Sequence, residues 1–226
     1  MSNIVLYFMD IFFEIAHRGY SDKYKDNTLE AFQASVDSHF DMIEFDIQMT
    51  NDNIIIIHHD IIIDDIIISD TNYHTIKEKN NDILTLEDFF KHIDISIIKI
   101  YIDIKGTHTN ICSHLIEILT SVQPKNNIFI GCFNMNILVK MYSLDPSFHY
   151  GMITANAFNK EHLDFLHRKV SLSFVCFEWS LLEADIIEYL QSKGILVFAF
   201  TNKNIYTLRY MDKFKLNGIV SNLKIR

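Results

Sequence analysis

The chain has 226 residues, of which 49% are hydrophobic and 22% are charged, and its formal net charge is −9 at pH 7. This length is enough for one well-packed core, so we predict a single domain over residues 1–226. The acidic balance argues against nucleic acid as a partner, because proteins that bind phosphate backbones are generally basic. The three cysteines are odd in number and widely spaced, which indicates a reducing compartment and neither a disulfide framework nor a zinc site.

The N-terminal stretch 4–16 is apolar but lacks the pattern of a signal peptide. It has no basic region at its start, it contains Asp10 and Glu14, and His17 follows it directly. No stretch of the sequence reaches the roughly 20 apolar residues that a membrane-spanning helix needs. We therefore predict a cytoplasmic protein without a transmembrane segment.

Short apolar runs alternate with helical patterns along the rest of the chain, which is typical of a parallel α/β fold. Eight runs are predicted barrel strands: 12–17, 42–47, 99–104, 128–133, 150–153, 174–177, 196–201 and 218–221. Predicted helices include 28–38, 86–93, 111–122, 181–192 and 205–213. Asn27 directly precedes the first of these helices. A structural role at the helix start is sufficient to explain this residue, so we assign it no function. Because a (β/α)8 barrel usually takes about 250 residues, we predict a trimmed TIM-like (β/α)8 barrel.

One further apolar run, 54–59, has no place among the eight strands. Turn residues at 50–53 separate it from the second strand and leave no room for a crossover helix. We therefore predict a β-hairpin extension after the second strand. At about 3.3 Å per residue, such a hairpin returns His59 to the level of Asp46. Glu44 and Asp46 share one face of their strand, so all three side chains meet.

Three carboxylates are candidate metal ligands. Glu44 and Asp46 lie in a run that is apolar on both faces, where carboxylates are costly unless they are paired or bind a cation. Asp103 ends the next predicted barrel strand and is the third candidate. Three carboxylates with open positions fit one hard divalent cation, Mg²⁺ or Ca²⁺, better than zinc. The sequence does not choose between the two ions.

Basic residues follow the same strands. His17 and His59 are candidate catalytic residues, one as general base and the other as general acid, and their spacing does not decide which is which. Arg18 offers a planar fork for phosphate oxygens. Lys105 lies two residues after the third carboxylate and offers a point charge to phosphate.

Apolar residues near these groups have two interpretations. The Ile-rich segment 61–68 directly follows His59 and Asp60. It is more typical of a packed cover over the barrel end than of a surface that contacts lipid. Trp179 and Phe200 are possible pocket walls from later strands, although lone aromatic residues near strand ends more often belong to the core.

The charged groups resemble the hallmark series of the glycerophosphodiester phosphodiesterase family, which is H-R, then E-x-D, then H-D. The gaps here are 25 and 12 residues, and the groups are His17-Arg18, Glu44-Phe45-Asp46 and His59-Asp60. Later segments are also similar to family segments: Asp26-Asn27-Thr28-Leu29, Leu84-Thr85-Leu86-Glu87, Asp103-Ile104-Lys105, Cys132-Phe133-Asn134, 194–201 and 218–222. Four positions depart from the usual family residue: Asp26, Asp103, Cys132 and Phe200.

The resemblance implies a metal-dependent phosphoric diester hydrolase that cleaves glycerophosphodiesters to glycerol 3-phosphate and an alcohol. It also implies catalysis by the paired histidines, a divalent cation at the three carboxylates, and either a glycerol hydroxyl or water as nucleophile. Two alternatives remain open. A phospholipase-D-like or sphingomyelinase-D-like enzyme would cleave lysophospholipids, and Asp103 resembles that branch. A non-catalytic barrel that binds phosphate esters would explain the four departures. The head group and the oligomeric state do not follow from the sequence.

Overall fold

The structure, a computed structural model, describes residues 11–226. Its strands are β1 (Phe13–His17), β2 (Met42–Met49), β3 (Ile55–Ile57), β4 (Ile62–Ile63), β5 (Ile66–Ile67), β6 (Leu84–Thr85), β7 (Lys99–Ile104), β8 (Ile128–Cys132), β9 (His149–Thr154), β10 (Phe174–Glu178), β11 (Leu196–Asn202) and β12 (Gly218–Ser221). Eight of them, β1, β2 and β7 to β12, are parallel, and β1 pairs with both β2 and β12. The sheet therefore closes, and the predicted TIM-like (β/α)8 barrel is confirmed.

Helices follow the barrel strands in chain order. In residues 11–226 they are α1 (Leu29–Asp37), α2 (Tyr73–Lys79), α3 (Leu86–His92), α4 (Ile111–Thr120), α5 (Met135–Leu144), α6 (Lys160–Val170), α7 (Ala184–Ser192) and α8 (Ile205–Met211). None of these helices is long and apolar enough to cross a membrane. Residues 4–10 of the apolar N-terminal stretch lie outside the described part of the chain.

Side-chain caps decide where several of these helices begin. Thr28 accepts a hydrogen bond from the backbone N–H of Ala31 at the start of α1. Thr85 and Asp88 form a reciprocal capping box at the start of α3. The predicted helix 181–192 is shorter in the structure, because a 3₁₀ turn occupies its first residue and α7 begins at Ala184.

The hairpin after the second barrel strand is present. β3 runs antiparallel to β2, with Ile57 opposite Ile47, and the backbone N–H of His58 donates to the carbonyl oxygen of Asp46 at 3.0 Å. The residue that follows, His59, is therefore at the level of Asp46, as predicted. β6 pairs with the outer edge of β3, and β4 and β5 form a small separate hairpin beyond it.

The inside of the barrel is apolar at one end and polar at the other. Its apolar cluster consists of Ile15, Met42, Tyr101, Phe129, Ile153, Phe174, Cys176, Leu196, Phe198 and Val220. Small residues make room for the rings: a Cβ at Gly151 would lie 2.3 Å from the Phe174 ring. Because side chains alternate along a strand, the inward position after Ile15 is His17, and the one after Tyr101 is Asp103. The polar side chains therefore lie directly above the apolar cluster, on the same strands.

All three thiols are buried, and this gives a first test of the fold. Cys112, Cys132 and Cys176 are free and buried, and burial raises the pKa of each thiol, that of Cys132 to about 12. Since the thiolate is the reactive form, we expect no rapid reaction of the native protein with Ellman's reagent at pH 8. Three equivalents should react once the protein is unfolded in guanidinium chloride. A native thiol that reacts as fast as free cysteine would contradict this packing.

Candidate active site

The charged residues singled out in the sequence meet in one cavity at the C-terminal ends of the barrel strands. The cavity has a volume of about 170 Å³, and its lining includes His17, Arg18, Glu44, Asp46, His59, Asp103, Lys105 and Phe200. This end of a TIM barrel is where active sites lie. Trp179, a possible pocket wall from the sequence, is not among the lining residues. Its ring packs edge-on against Tyr210, with a centroid distance of 5.4 Å.

Three carboxylates lie side by side in this cavity. Oxygens of Glu44, Asp46 and Asp103 all lie within 4.8 Å of one another. The register of β2 and β7 pairs Asp46 with Asp103, and Glu44 is two residues earlier on the same strand face. The three residues are only 4%, 1% and 5% exposed, respectively. Crowding and burial of this degree are unfavourable for three negative charges without a cation.

The pKa values reflect this crowding. Burial is the largest cause and raises the pKa of Glu44 well above its ordinary value, and the nearby charges of Asp46 and Asp103 raise it further. Burial also raises the pKa of Asp103 to about 6, although Lys105 opposes the shift. Asp103 Oδ1 is buried and has no hydrogen-bond partner among the described residues. A hard divalent cation is bound by several oxygen ligands, and an oxygen without a hydrogen-bond partner is available to bind one. These residues therefore fit a metal site.

Two basic side chains neutralise part of the negative charge. Lys105 Nζ lies 2.6 Å from Asp103 Oδ2 and 3.0 Å from Asp46 Oδ1. Arg18 Nε lies 3.1 Å from Asp46 Oδ2, and its Nη1 lies 3.0 Å from Asp26 Oδ2. Burial alone would raise the pKa of Asp46, but Lys105 and Arg18 outweigh it and lower that pKa below its ordinary value. Of the three carboxylates, Asp46 is thus the one whose ionised form the neighbouring side chains favour.

His17 is half-buried and held by an amide. Its Nδ1 lies 2.7 Å from Asn222 Oδ1, and because an amide oxygen only accepts hydrogen bonds, Nδ1 carries the hydrogen. Burial, and next the charge of Arg18, lower the pKa of His17 to about 4. The ring is therefore neutral at pH 7, and its Nε2 is free to accept a proton.

His59 lies in a different environment. Its Nδ1 is 2.7 Å from Asp60 Oδ1, and its side chain is 40% exposed at the rim of the cavity. The preceding residue, His58, does not line the cavity but borders a neighbouring depression that also contains Asp26 and Asp60. Of the two candidate histidines, His17 is half-buried and contacts an amide, whereas His59 lies at the exposed rim and contacts a carboxylate.

Amide side chains support the site, and the sequence did not reveal their roles. Asn27 donates from Nδ2 to Asp46 Oδ2 at 3.0 Å, while Thr28 performs the capping expected at the start of α1. Gln48 Nε2 donates towards three successive carbonyl oxygens, those of His58, His59 and Asp60, at 3.1, 3.2 and 2.5 Å. One signal was available for Gln48, because it continues the i, i+2 face on which the first two carboxylates lie.

The fold and the cavity together indicate a class of enzyme. A (β/α)8 barrel with imidazoles, clustered carboxylates and cationic side chains at its mouth has the groups that phosphoryl chemistry requires. A sequence model of the Glycerophosphoryl diester phosphodiesterase family matches residues 17–223. The chain belongs to this family, as predicted, and is by class a phosphoric diester hydrolase.

Individual relatives agree with this assignment. A glycerophosphodiester phosphodiesterase of Caldanaerobacter subterraneus is 23% identical, and the match covers 92% of each chain. A crystal structure of a glycerophosphodiester phosphodiesterase from Thermotoga maritima is similar with a TM-score of 0.78, 23% identity and 94% coverage of both chains. An Oleispira antarctica phosphodiesterase, solved in complex with the product sn-glycerol-3-phosphate, has a TM-score of 0.83 and 20% identity over 96% of this chain and 95% of its own.

The raised pKa of Asp103 predicts how pH affects the metal-free protein. The shift from an ordinary value of 3.8 to about 6 means that the folded state holds a proton that the unfolded chain has already lost between these pH values. Stability therefore falls as pH rises through this window. We expect Asp103→Asn to raise the free energy of unfolding at pH 7.5 by about 1–3 kcal/mol, and to raise it less at pH 4.

Urea unfolding in EDTA at both pH values measures this difference. Asp82→Asn is the matched control, since that carboxylate is exposed and its pKa lies below the ordinary value. A loss of stability in Asp103→Asn at pH 7.5 would contradict the analysis.

Proposed function

We propose that the protein is a metal-dependent glycerophosphodiester phosphodiesterase. It hydrolyses glycerophosphodiesters to glycerol 3-phosphate and the free alcohol. One observation carries the proposal, namely the meeting of three buried carboxylates, two histidines and two cationic side chains in a single cavity. Family membership supports the reaction class, and the Oleispira antarctica relative with bound sn-glycerol-3-phosphate supports the substrate class.

In this proposal Glu44, Asp46 and Asp103 hold one divalent cation, Mg²⁺ or Ca²⁺. Such an ion would supply Lewis-acid stabilisation of the negative charge of a phosphoryl group. Arg18 binds phosphate oxygens through its planar guanidinium, and Lys105 binds them as a point charge. Both side chains already line the cavity beside the carboxylates, so little rearrangement is needed for them to reach a phosphate there.

The environments of the two histidines suggest their roles. His17 is neutral with a free Nε2, so we assign it the removal of a proton from the attacking hydroxyl, whether that of the glycerol or of water. His59 is exposed to solvent and oriented by Asp60, so we assign it the delivery of a proton to the leaving alkoxide. Gln48 positions the segment that carries His59 through its bonds to the carbonyl oxygens of 58–60.

Cleavage of lysophospholipids is a second candidate function, and one observation favours it. A groove of about 470 Å³ adjoins the cavity, shares Lys105 with it and is lined in part by Ile61 and Ile67. These two side chains are 58% and 46% exposed, whereas Ile63 and Ile68 of the same segment are buried, as the packed-cover interpretation requires. A non-catalytic barrel is disfavoured, because every member of the predicted catalytic set is present and brought together.

The reaction itself can be followed by phosphorus NMR. With glycerophosphocholine and Mg²⁺ or Ca²⁺, we expect the phosphodiester signal to be replaced by that of glycerol 3-phosphate. Excess EDTA should stop the conversion, because the carboxylates then hold no cation. A transient cyclic phosphate would identify the glycerol hydroxyl as the nucleophile. If neither metal supports conversion of glycerophosphocholine, lysophosphatidylcholine tests the second candidate. Inertness towards both, and towards a glycerophosphodiester whose alcohol is not cationic, would contradict the proposal.

The histidine roles predict a loss of turnover without a loss of fold. His17→Ala and His59→Ala should each lower kcat by about 10²–10⁴-fold, the usual contribution of a positioned acid or base. His74→Ala serves as the control, since that side chain is 84% exposed on α2, and it should behave as the wild type. Thermal unfolding of each variant checks the fold. A histidine variant that is folded, binds metal and keeps full kcat would remove that residue from the mechanism.

A further inference from the structure

The cavity contains a third cationic side chain that the proposed reaction does not use. Lys203 follows β11 directly and lines the cavity together with Phe200 and Thr201. Arg18 and Lys105 each lie within 3.1 Å of a carboxylate. Lys203 differs from both, because none of the residues in the range 11–226 forms an ion pair or hydrogen bond with its ammonium group. It is a positive charge that faces a substrate cavity without a protein counter-ion.

The position of Lys203 in the barrel is opposite to the carboxylates. Three strands, β8, β9 and β10, separate β7 from β11 on one side, and three others, β12, β1 and β2, separate them on the other. Asp103 and Lys105 follow β7 to the cavity, whereas Lys203 reaches it from the facing wall. Phe133 and Phe200, packed edge to face at 5.9 Å, line the same cavity.

A phosphodiester has two substituents, and only one of them can carry a charge in the proposed reaction. In the proposed reaction Arg18 and Lys105 bind the phosphate, so a substituent that extends across the cavity would approach Lys203. The glycerol substituent has only hydroxyl groups, so a charged partner for this ammonium must belong to the leaving alcohol. An unpaired ammonium attracts an anionic group there and repels a quaternary ammonium.

We infer that Lys203 is a specificity-determining residue that selects glycerophosphodiesters whose leaving alcohol carries an anionic group, a carboxylate or a second phosphate. The inference rests on the proposed function and deepens it. It distinguishes such substrates from glycerophosphocholine, whose leaving alcohol is cationic. The competing role, binding of the reacting phosphate itself, would affect every diester alike.

A matched pair of substrates tests the inference. Glycerophosphoinositol and glycerophosphoinositol 4-phosphate have the same leaving-alcohol framework and differ in one phosphate group. We expect kcat/KM of the wild type to be about five- to tenfold higher for the phosphorylated compound, as for one solvent-exposed charge pair. Lys203→Met should reduce this ratio to about one, and Lys203→Glu should invert it. The wild-type preference should also decrease as salt rises.

Lys215→Met is the control variant, because that exposed lysine precedes β12 at the opposite end of the barrel and its loss changes net charge equally. It should keep the wild-type ratio. An unchanged ratio in Lys203→Met would overturn the inference, and so would an equal loss for both substrates, which would place Lys203 at the reacting phosphate.

Measurements of substrate binding distinguish a failure of this inference from a failure of the proposed function. Isothermal titration calorimetry of both compounds, on wild type and Lys203→Met, gives their dissociation constants without turnover. If neither compound is hydrolysed, the proposed function fails for these diesters. The inference then stands if the wild type still binds the phosphorylated compound more tightly through Lys203, and it falls if the two dissociation constants are equal.

Discussion

The repulsion among three buried carboxylates is the constraint on which the rest of the site depends. Glu44, Asp46 and Asp103 lie within 4.8 Å of one another in a place that water barely reaches, where like charges interact strongly. Each neighbouring feature compensates for that repulsion. Lys105 bridges two of the carboxylates, and the backbone N–H of Arg18 donates to Glu44 at 2.9 Å. A site of this kind favours cation binding because the protein alone does not neutralise it.

The barrel can hold such an unfavourable cluster because its stability comes from other layers. The inward-facing positions nearer the N-terminal ends of the strands are large and apolar, and Tyr101, Phe174 and Phe198 interlock there. Glycines at 131 and 151 admit the rings of Tyr101 and Phe174. Burial of this apolar surface stabilises the strands whose ends carry the carboxylates. The apolar side chains that stabilise the barrel and the charged side chains of the site therefore lie at successive inward positions on the same strands.

Local patterns were sufficient to predict the barrel and most of the cavity lining. Alternation of apolar runs with helical patterns predicted the eight strands, and the i, i+2 spacing with a short turn predicted that His59 meets Glu44 and Asp46. Trp179, in contrast, lies in a 3₁₀ turn and packs its ring against Tyr210, a contact that its position after a strand did not indicate. The single-domain boundary stays a prediction. The amide that holds His17 could not be predicted from a local pattern, because His17 and Asn222 are 205 positions apart in the chain.

The choice of amides next to the carboxylates has an electrostatic reason. Asn222 accepts the Nδ1 hydrogen of His17 as a carboxylate would, but it adds no negative charge beside the three already present. A carboxylate at that position would favour the imidazolium form, and a proton-accepting histidine would be lost at neutral pH. Asn27 and Gln48 likewise donate hydrogen bonds without charge. The one carboxylate paired with a catalytic candidate, Asp60, lies at the exposed rim, where solvent screens its charge from the cluster. The supporting residues next to the buried carboxylates are thus uncharged, and the charged one, Asp60, lies at the rim.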